Sequence, residues 1–266
     1  MSGNGRVNPE EIAGRLEDAW RDRRPIPPLS ESLGLDSAET AYAIQTAWSR
    51  MRLAGGERVL GHKIGLTSQA MRDQLSVHEP DYGQLWESRF YPAKDGTVTV
   101  PAGVFVQPRV ESELAFLLGA PLEGTGITRD QVVAATEAVA VSIEIIDSRI
   151  TDWRIRLVDT VADNASYGAF TLGPWDPELV TADLRTLGMI VTRNGGTEVE
   201  AVGHAVLGDP YLAVAWLANK LNGLGTAVKA GDIVLSGSLG KAIPAAHGDT
   251  FTVETYGQPA LTAIFG

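Results

Sequence analysis

Arg109-Val110-Glu111-Ser112-Glu113-Leu114 runs on into Ala115-Phe116-Leu117-Leu118, and this stretch sets the character of the chain. In a strand, side chains at i and i+2 share a face. Glu111 and Glu113 therefore point one way, while Val110, Leu114, Phe116 and Leu118 point the other way, into a core. Two like charges side by side repel unless something compensates them. A divalent cation does so, and carboxylate oxygens suit a hard ion such as Mg²⁺ or Mn²⁺. A charged strand facing solvent fits the same residues.

Three further stretches carry chemistry. Glu144 lies within Val141-Ser142-Ile143-Glu144-Ile145-Ile146-Asp147, where a buried carboxylate needs a partner. With Glu111 and Glu113 it would complete a three-carboxylate site, although spacing alone does not bring the three together. In Gly61-His62-Lys63-Ile64-Gly65, alternation puts Lys63 on the face of two glycines. Those glycines are expected to leave room beside the ammonium for a small anion. Asp159-Thr160-Val161-Ala162-Asp163-Asn164-Ala165-Ser166 reads as a polar loop with donors to offer a carboxylate, or as a capped turn.

Composition narrows the functional classes. The 266 residues carry a net charge of −11, so nucleic acid and anionic membrane surfaces are poor partners. An acidic protein that binds an acid needs concentrated local positive charge. With no cysteine, a disulfide framework, a thiolate metal site and a cysteine nucleophile are excluded. Met1 to Glu11 is polar, with no apolar signal segment, and no run reaches transmembrane length. A cytoplasmic protein is the expectation. His62, His78, His204 and His247 lack zinc-motif spacing, and no P-loop or nucleophile elbow is present.

The predicted elements are helical first and β-rich after. Asn8, Pro9 and Glu11 predict a capped helix, with Ile12, Leu16 and Trp20 at helical spacing. A second helix is expected to open at Asp36, with Ala41, Ile44, Trp48 and Met51 as its stripe, and to stop at Gly55 and Gly56. Strands are predicted at 59–66, 97–100, 110–118, 141–147, 232–236, 250–255 and 261–265. Helices are predicted at 128–139, opened by a Thr128/Gln131 capping box, and at 209–221. The class is α+β, with a helical part over residues 1–56 and a β-rich body over 57–266.

Seven collinear segments resemble a known family. They are Ala41-Tyr42-Ala43-Ile44-Gln45, Gly61 to Thr67, Pro80-Asp81-Tyr82-Gly83, Pro108 to Glu113, Glu144 to Ile150, Asp159 to Ser166, and Gly231 to Gly237. In this order they resemble the 2-keto-4-pentenoate hydratase / 4-oxalocrotonate decarboxylase family, from about Ala41 to the end. The resemblance implies a fumarylacetoacetase C-terminal-like mixed β-sheet roll with a small helical N-terminal part. It implies a divalent metal, Mg²⁺ or Mn²⁺, on Glu111, Glu113 and Glu144, chelating the carboxylate and 2-oxygen of a small 2-oxo or 2-hydroxy-dienoic acid. It places Lys63 and Asp81 beside that substrate, with Ser166 and the backbone near Leu66 on its carboxylate. Either Lys63 or Asp81 would handle the proton. It also implies a homo-oligomer, pentamer or decamer.

Within the family, Arg149-Ile150-Thr151-Asp152-Trp153-Arg154-Ile155 followed by Asp159-Thr160-Val161 resembles the hydratase form, S-R-I-x-D-W, as does Ser236-Gly237-Ser238-Leu239-Gly240. That branch implies addition of water to 2-hydroxypenta-2,4-dienoate or a close homologue, in meta-cleavage catabolism of aromatic or steroid compounds. Decarboxylation of 2-oxo-3-hexenedioate is the rival, and a non-catalytic partner subunit a further one. An acylpyruvate hydrolase would carry an N-D-x-S-A-R-type run, which is not seen. His62 departs from the basic or apolar residue frequent in relatives. Tyr167 stands where a small residue is usual, and is expected to narrow or reshape the pocket.

Overall fold

A computed structural model describes residues 7–69, 72 and 77–266; the first six residues of the polar N-terminus lie outside the described residues. Asn8 caps α1 (Pro9–Asp22), accepting from the N–H groups of Glu10 and Glu11 at 3.0 and 3.4 Å. α2 (Leu29–Ser32) is a single turn. α3 (Ala38–Ala54) starts one residue later than expected, because Ser37 rather than Asp36 accepts from a first-turn N–H, that of Thr40. Ala41, Ile44 and Trp48 are buried, but Met51 is exposed, so the stripe is shorter than predicted.

The body follows as β1 (Val59–Gly65), β2 (Asp81–Trp86), β3 (Thr97–Val100), β4 (Pro108–Leu118), α4 (Arg129–Ala135) and β5 (Thr136–Asp147). Then come α5 (Leu157–Ala162), β6 (Tyr167–Leu172), β7 (Gly188–Arg193), β8 (Gly196–Val202) and α6 (Pro210–Gly223). β9 (Ile233–Leu235), β10 (Ile243–Pro244), β11 (Thr250–Thr255) and β12 (Leu261–Phe265) close it. The Thr128/Gln131 capping box forms as predicted. The helix it opens ends at Ala135, however, and residues 136–139 belong to β5. There the period-2 run through Val139, Val141, Ile143 and Ile145 overrides helical propensity by burying its apolar face.

The larger sheet has the order β2-β1-β9-β4-β5-β6, with β10 also paired to β4. The smaller has the order β3-β12-β11-β7-β8. Both faces of the larger sheet are covered. Ile64, Val110, Leu114, Phe116, Ile143 and Ile145 pack with Phe251, Val253 and Phe265 of the smaller sheet and with Leu217 of α6. On the other face, Leu85, Ala115, Ala140 and Leu235 lie beneath Leu16, Ile44 and Trp48 of the N-terminal helices. Each fully buried side chain of this size contributes about 1.5–3 kcal/mol. Among the described residues, no helix is long and apolar enough to cross a membrane. The helices roof only part of their face, and the polar residues occupy the rest.

Candidate active site

β4 and β5 pair antiparallel, with Glu111 directly opposite Glu144 and Glu113 opposite Ser142. That register, which the sequence could not supply, joins the three carboxylates. Ligand-competent oxygens of Glu111, Glu113 and Glu144 all lie within 4.8 Å of one another. Glu113 and Glu144 are fully buried, and Glu111 is half-buried. Gly237 donates its N–H to Glu113 Oε2 at 2.9 Å. Among the described residues, Glu113 Oε1 and Glu144 Oε2 have no hydrogen-bond donor, and Glu144 Oε1 meets the Lys63 ammonium as an ion pair.

Burial and then the neighbouring carboxylates push these groups up. Glu111 is pushed to about 7, and Glu113 well above the usual carboxylate range. Burial raises Glu144 too, against the pull of Lys63. Buried, mutually repelling oxygens with unmet acceptor capacity are what a hard divalent cation satisfies. The donor set therefore fits a hard divalent cation.

Lys63 reaches the trio from β1. Its Nζ donates to the carbonyl of Ala165 at 2.9 Å and lies 3.2 Å from Glu144 Oε1. Burial works against the ammonium, but Glu144, Asp81, Glu111 and Glu113 outweigh it and hold Lys63 above the ordinary lysine range. Asp81 starts β2 opposite Gly65 and is buried; Thr160 Oγ1 donates to its Oδ2 at 3.3 Å. Burial pushes the Asp81 carboxyl up, and Lys63 opposes the shift. Thr160 Oγ1 also lies 3.3 Å from Ser166 Oγ, so one hydroxyl links Asp81 to Ser166. Leu66 follows β1 at φ 58°, with its carbonyl clasped by Arg72 Nη1 at 2.9 Å.

The two glycines beside Lys63 leave less room than expected. A Cβ on Gly61 would lie 1.9 Å from the Ile233 carbonyl oxygen, so neighbouring backbone already fills that side. A Cβ on Gly65 would lie 2.1 Å from Asp81 Oδ1 and 3.6 Å from Lys63 Nζ. Gly65 is bare because the Asp81 carboxylate needs its space. Gly65→Ala is expected to displace Asp81 and lower kcat at least tenfold, with a smaller loss of thermal stability. Steady-state kinetics beside a melting curve checks this; unchanged kcat would mean that Asp81 has freedom to move.

The run from Asp159 to Ser166 is not wholly a loop. α5 occupies its first half, and Asp159 accepts from the Ser30 N–H and hydroxyl and from the Arg156 N–H. The second half turns through Asn164, Ala165 and Ser166, all at φ between 50° and 53°. Left-handed backbone costs about 1–2 kcal/mol per non-glycine residue, so a run of three needs external support.

Arg149 supplies part of that support. It is fully buried; its Nε and Nη2 donate to Asp163 Oδ1 and O at 2.6 Å each, and its Nη1 donates to the Tyr167 carbonyl at 2.7 Å. The Trp20 and Trp48 rings flank its guanidinium at 5.0 and 5.4 Å. Tyr167 is fully buried in the core. Its ring meets Trp86 edge-on and its hydroxyl donates to the Trp86 carbonyl at 3.1 Å, within the core beneath the N-terminal helices.

Reading the sequence thus named Glu111, Glu113, Glu144, Lys63, Asp81 and Ser166, and the structure gathers them. Thr160, Asn164, the Arg149–Asp163 pair and the Gly237 N–H were not singled out. Thr160, Asp163 and Asn164 carry the signal of the polar run as a whole, whereas Arg149 and Gly237 carry only that of the resembling segments.

Comparison with known proteins agrees with this geometry. The family described as fumarylacetoacetate (FAA) hydrolase C-terminal matches residues 61–265. A 2-hydroxyhexa-2,4-dienoate hydratase of Comamonas testosteroni is 46% identical over 94% of this chain and 95% of its own. A 2-keto-4-pentenoate hydratase of Paraburkholderia phymatum is 41% identical over 100% of this chain and 99% of its own. A solved 4-oxalocrotonate decarboxylase from Pseudomonas putida G7, complexed with magnesium and adipate, superposes with a TM-score of 0.92 at 34% identity, covering 97% of each chain. The chain belongs to the 2-keto-4-pentenoate hydratase / 4-oxalocrotonate decarboxylase family of the fumarylacetoacetase fold.

Proposed function

We propose that this chain is a divalent-metal-dependent hydro-lyase that adds water to 2-hydroxypenta-2,4-dienoate or a close homologue, such as the hexadienoate. The product is a 4-hydroxy-2-oxo acid, and the setting is meta-cleavage catabolism. Hydratase relatives at 46% and 41% identity favour this branch over the decarboxylase neighbour at 34%. The carrying observation is the buried trio with unpartnered oxygens beside Lys63. So complete a site speaks against an idle partner subunit.

Glu111, Glu113 and Glu144 would hold the ion, with Mg²⁺ or Mn²⁺ suited to the oxygen donors. When bound, it supplies Lewis acidity toward the carboxylate and 2-oxygen of the substrate. Lys63 offers the positive charge that steadies the enolate as the dienol gives up its hydroxyl proton. Protonation at C5 then yields the 2-oxo-3-enoate; water adds at C4 and a proton at C3. Asp81, raised by burial and facing Lys63, is suited to carry a proton in these transfers or to orient the water. Ser166 and the Leu66 backbone hold the substrate carboxylate. The protein works in the cytoplasm as a homo-oligomer, pentamer or decamer.

Mixing the protein with 2-hydroxypenta-2,4-dienoate and Mg²⁺ is expected to bleach the dienol absorbance without release of CO₂. EDTA is expected to abolish turnover, and Mg²⁺ or Mn²⁺ to restore it. CO₂ release from 2-oxo-3-hexenedioate would move the chain to the decarboxylase branch. Inertness toward both substrates would overturn the proposal.

A further inference from the structure

The Asn164 amide makes a two-way contact with the outer strand of the larger sheet. Its Oδ1 accepts from the Gln84 N–H at 2.8 Å, and its Nδ2 donates to the Gln84 carbonyl at 3.0 Å. This is the donor–acceptor pair that a neighbouring strand would present to β2, which otherwise ends the sheet on that side. The fit is close. A Cβ on Gly83 would lie 2.4 Å from the Asn164 carbonyl oxygen, so the turn rests where β2 has no side chain. Asn164 is fully buried.

The next two residues of the turn touch the proposed machinery. Ala165 provides the carbonyl that accepts from Lys63 Nζ, and Ser166 joins Thr160 and, through it, Asp81. Asp81 itself starts the strand to which Asn164 is fastened. One amide therefore sets the turn that presents the Lys63 acceptor against the strand that presents Asp81. Arg149 anchors the chain at Asp163 and Tyr167, on either side of the turn, so loss of the Asn164 side chain leaves the surrounding core held.

We propose that Asn164 is a positioning residue, whose amide clips the left-handed Asn164–Ser166 turn to β2 and thereby aims Lys63 at its working position beside Asp81. The inference rests on the reading that Lys63 serves turnover. A left-handed turn of three non-glycine residues has an intrinsic tendency to relax. The clip opposes relaxation at the two residues where a small displacement is felt most by the chemistry.

Asn164→Gly separates positioning from folding. Glycine accepts φ 53° without steric cost but has no amide. The expected result is kcat at least tenfold lower, with KM and the Mn²⁺ dissociation constant, read by electron paramagnetic resonance, each within threefold of the parent. Asn164→Asp keeps the acceptor for the Gln84 N–H but turns an oxygen toward the Gln84 carbonyl; it is expected to fall at least as far. Unchanged kcat in Asn164→Gly overturns the proposal. So does a loss of kcat matched by an equal loss of Mn²⁺ affinity or of folded protein, because that is a structural role alone. Lys63→Met measured alongside tells the two readings apart. Full activity there defeats the role of Lys63, whereas an inactive Lys63→Met beside a fully active Asn164→Gly defeats only the clip.

Discussion

Lys63→Met is expected to lower kcat about a thousandfold while divalent-cation affinity stays level or tightens. General acid–base and charge-stabilising side chains contribute on the order of 10²–10⁴-fold, which sets the size of the loss. The sign on metal binding comes from electrostatics. Nζ lies 3.2 Å from Glu144 Oε1, and the carboxylates are what keep the ammonium charged. Lys63 and a divalent ion are like charges drawn to the same oxygens, so removing the ammonium leaves more negative charge for the ion. Methionine fills nearly the same buried volume, which limits collapse around the site. The check is a pair of measurements on one preparation, turnover of the dienol and Mn²⁺ titration. If turnover and affinity fell together, Lys63 would be only part of the scaffold.

How much of this was legible depends on the distance over which each feature is encoded. The shared face of Glu111 and Glu113 follows from alternation within six residues, and β4 has that face. The caps at Asn8 and Thr128 are equally local, and both formed. Glu144 was legible as a carboxylate needing a partner, but its position opposite Glu111 is a strand register, fixed by pairing across more than thirty residues. Lys63 sits opposite Leu235 through a parallel pairing that brings distant strands together. α5 was hidden because its polar Asp159 and Thr160 read as turn residues; tertiary bonds from Ser30 and to Asp81 give them partners. Asn164 exceeds local reading altogether, because its role lies in the backbone of Gln84. Reading one stretch at a time found the charged groups, but not the neutral ones that aim them.

Glu113→Gln is expected to invert the order of stability between metal-free and metal-loaded protein. Without metal, Glu113 is a fully buried carboxylate near two others, with one oxygen unpartnered. Glutamine keeps the shape and an acceptor for the Gly237 N–H but removes the charge. Metal-free Glu113→Gln should therefore melt higher than the parent, by about 3 °C for each 1 kcal/mol of relief. That gap depends on pH with a definite sign. Burial raises the folded carboxyl above its ordinary 4.5, so the folded parent holds its proton more tightly than the unfolded chain does. The parent then loses stability as pH rises from 4.5 toward the higher folded value, and the advantage of the variant widens across that window. With metal the order reverses. Losing one of three anionic ligands should weaken the divalent ion by about a hundredfold or more, because ligand charge count tunes affinity. A parent saturated at about a hundred times its dissociation constant gains about 2.7 kcal/mol, most of which the variant forgoes at the same concentration. Melting curves with EDTA and with Mg²⁺, each at two pH values, should therefore cross. If Mg²⁺ raised both proteins equally, the trio would be a proton-sharing cluster and not a metal site.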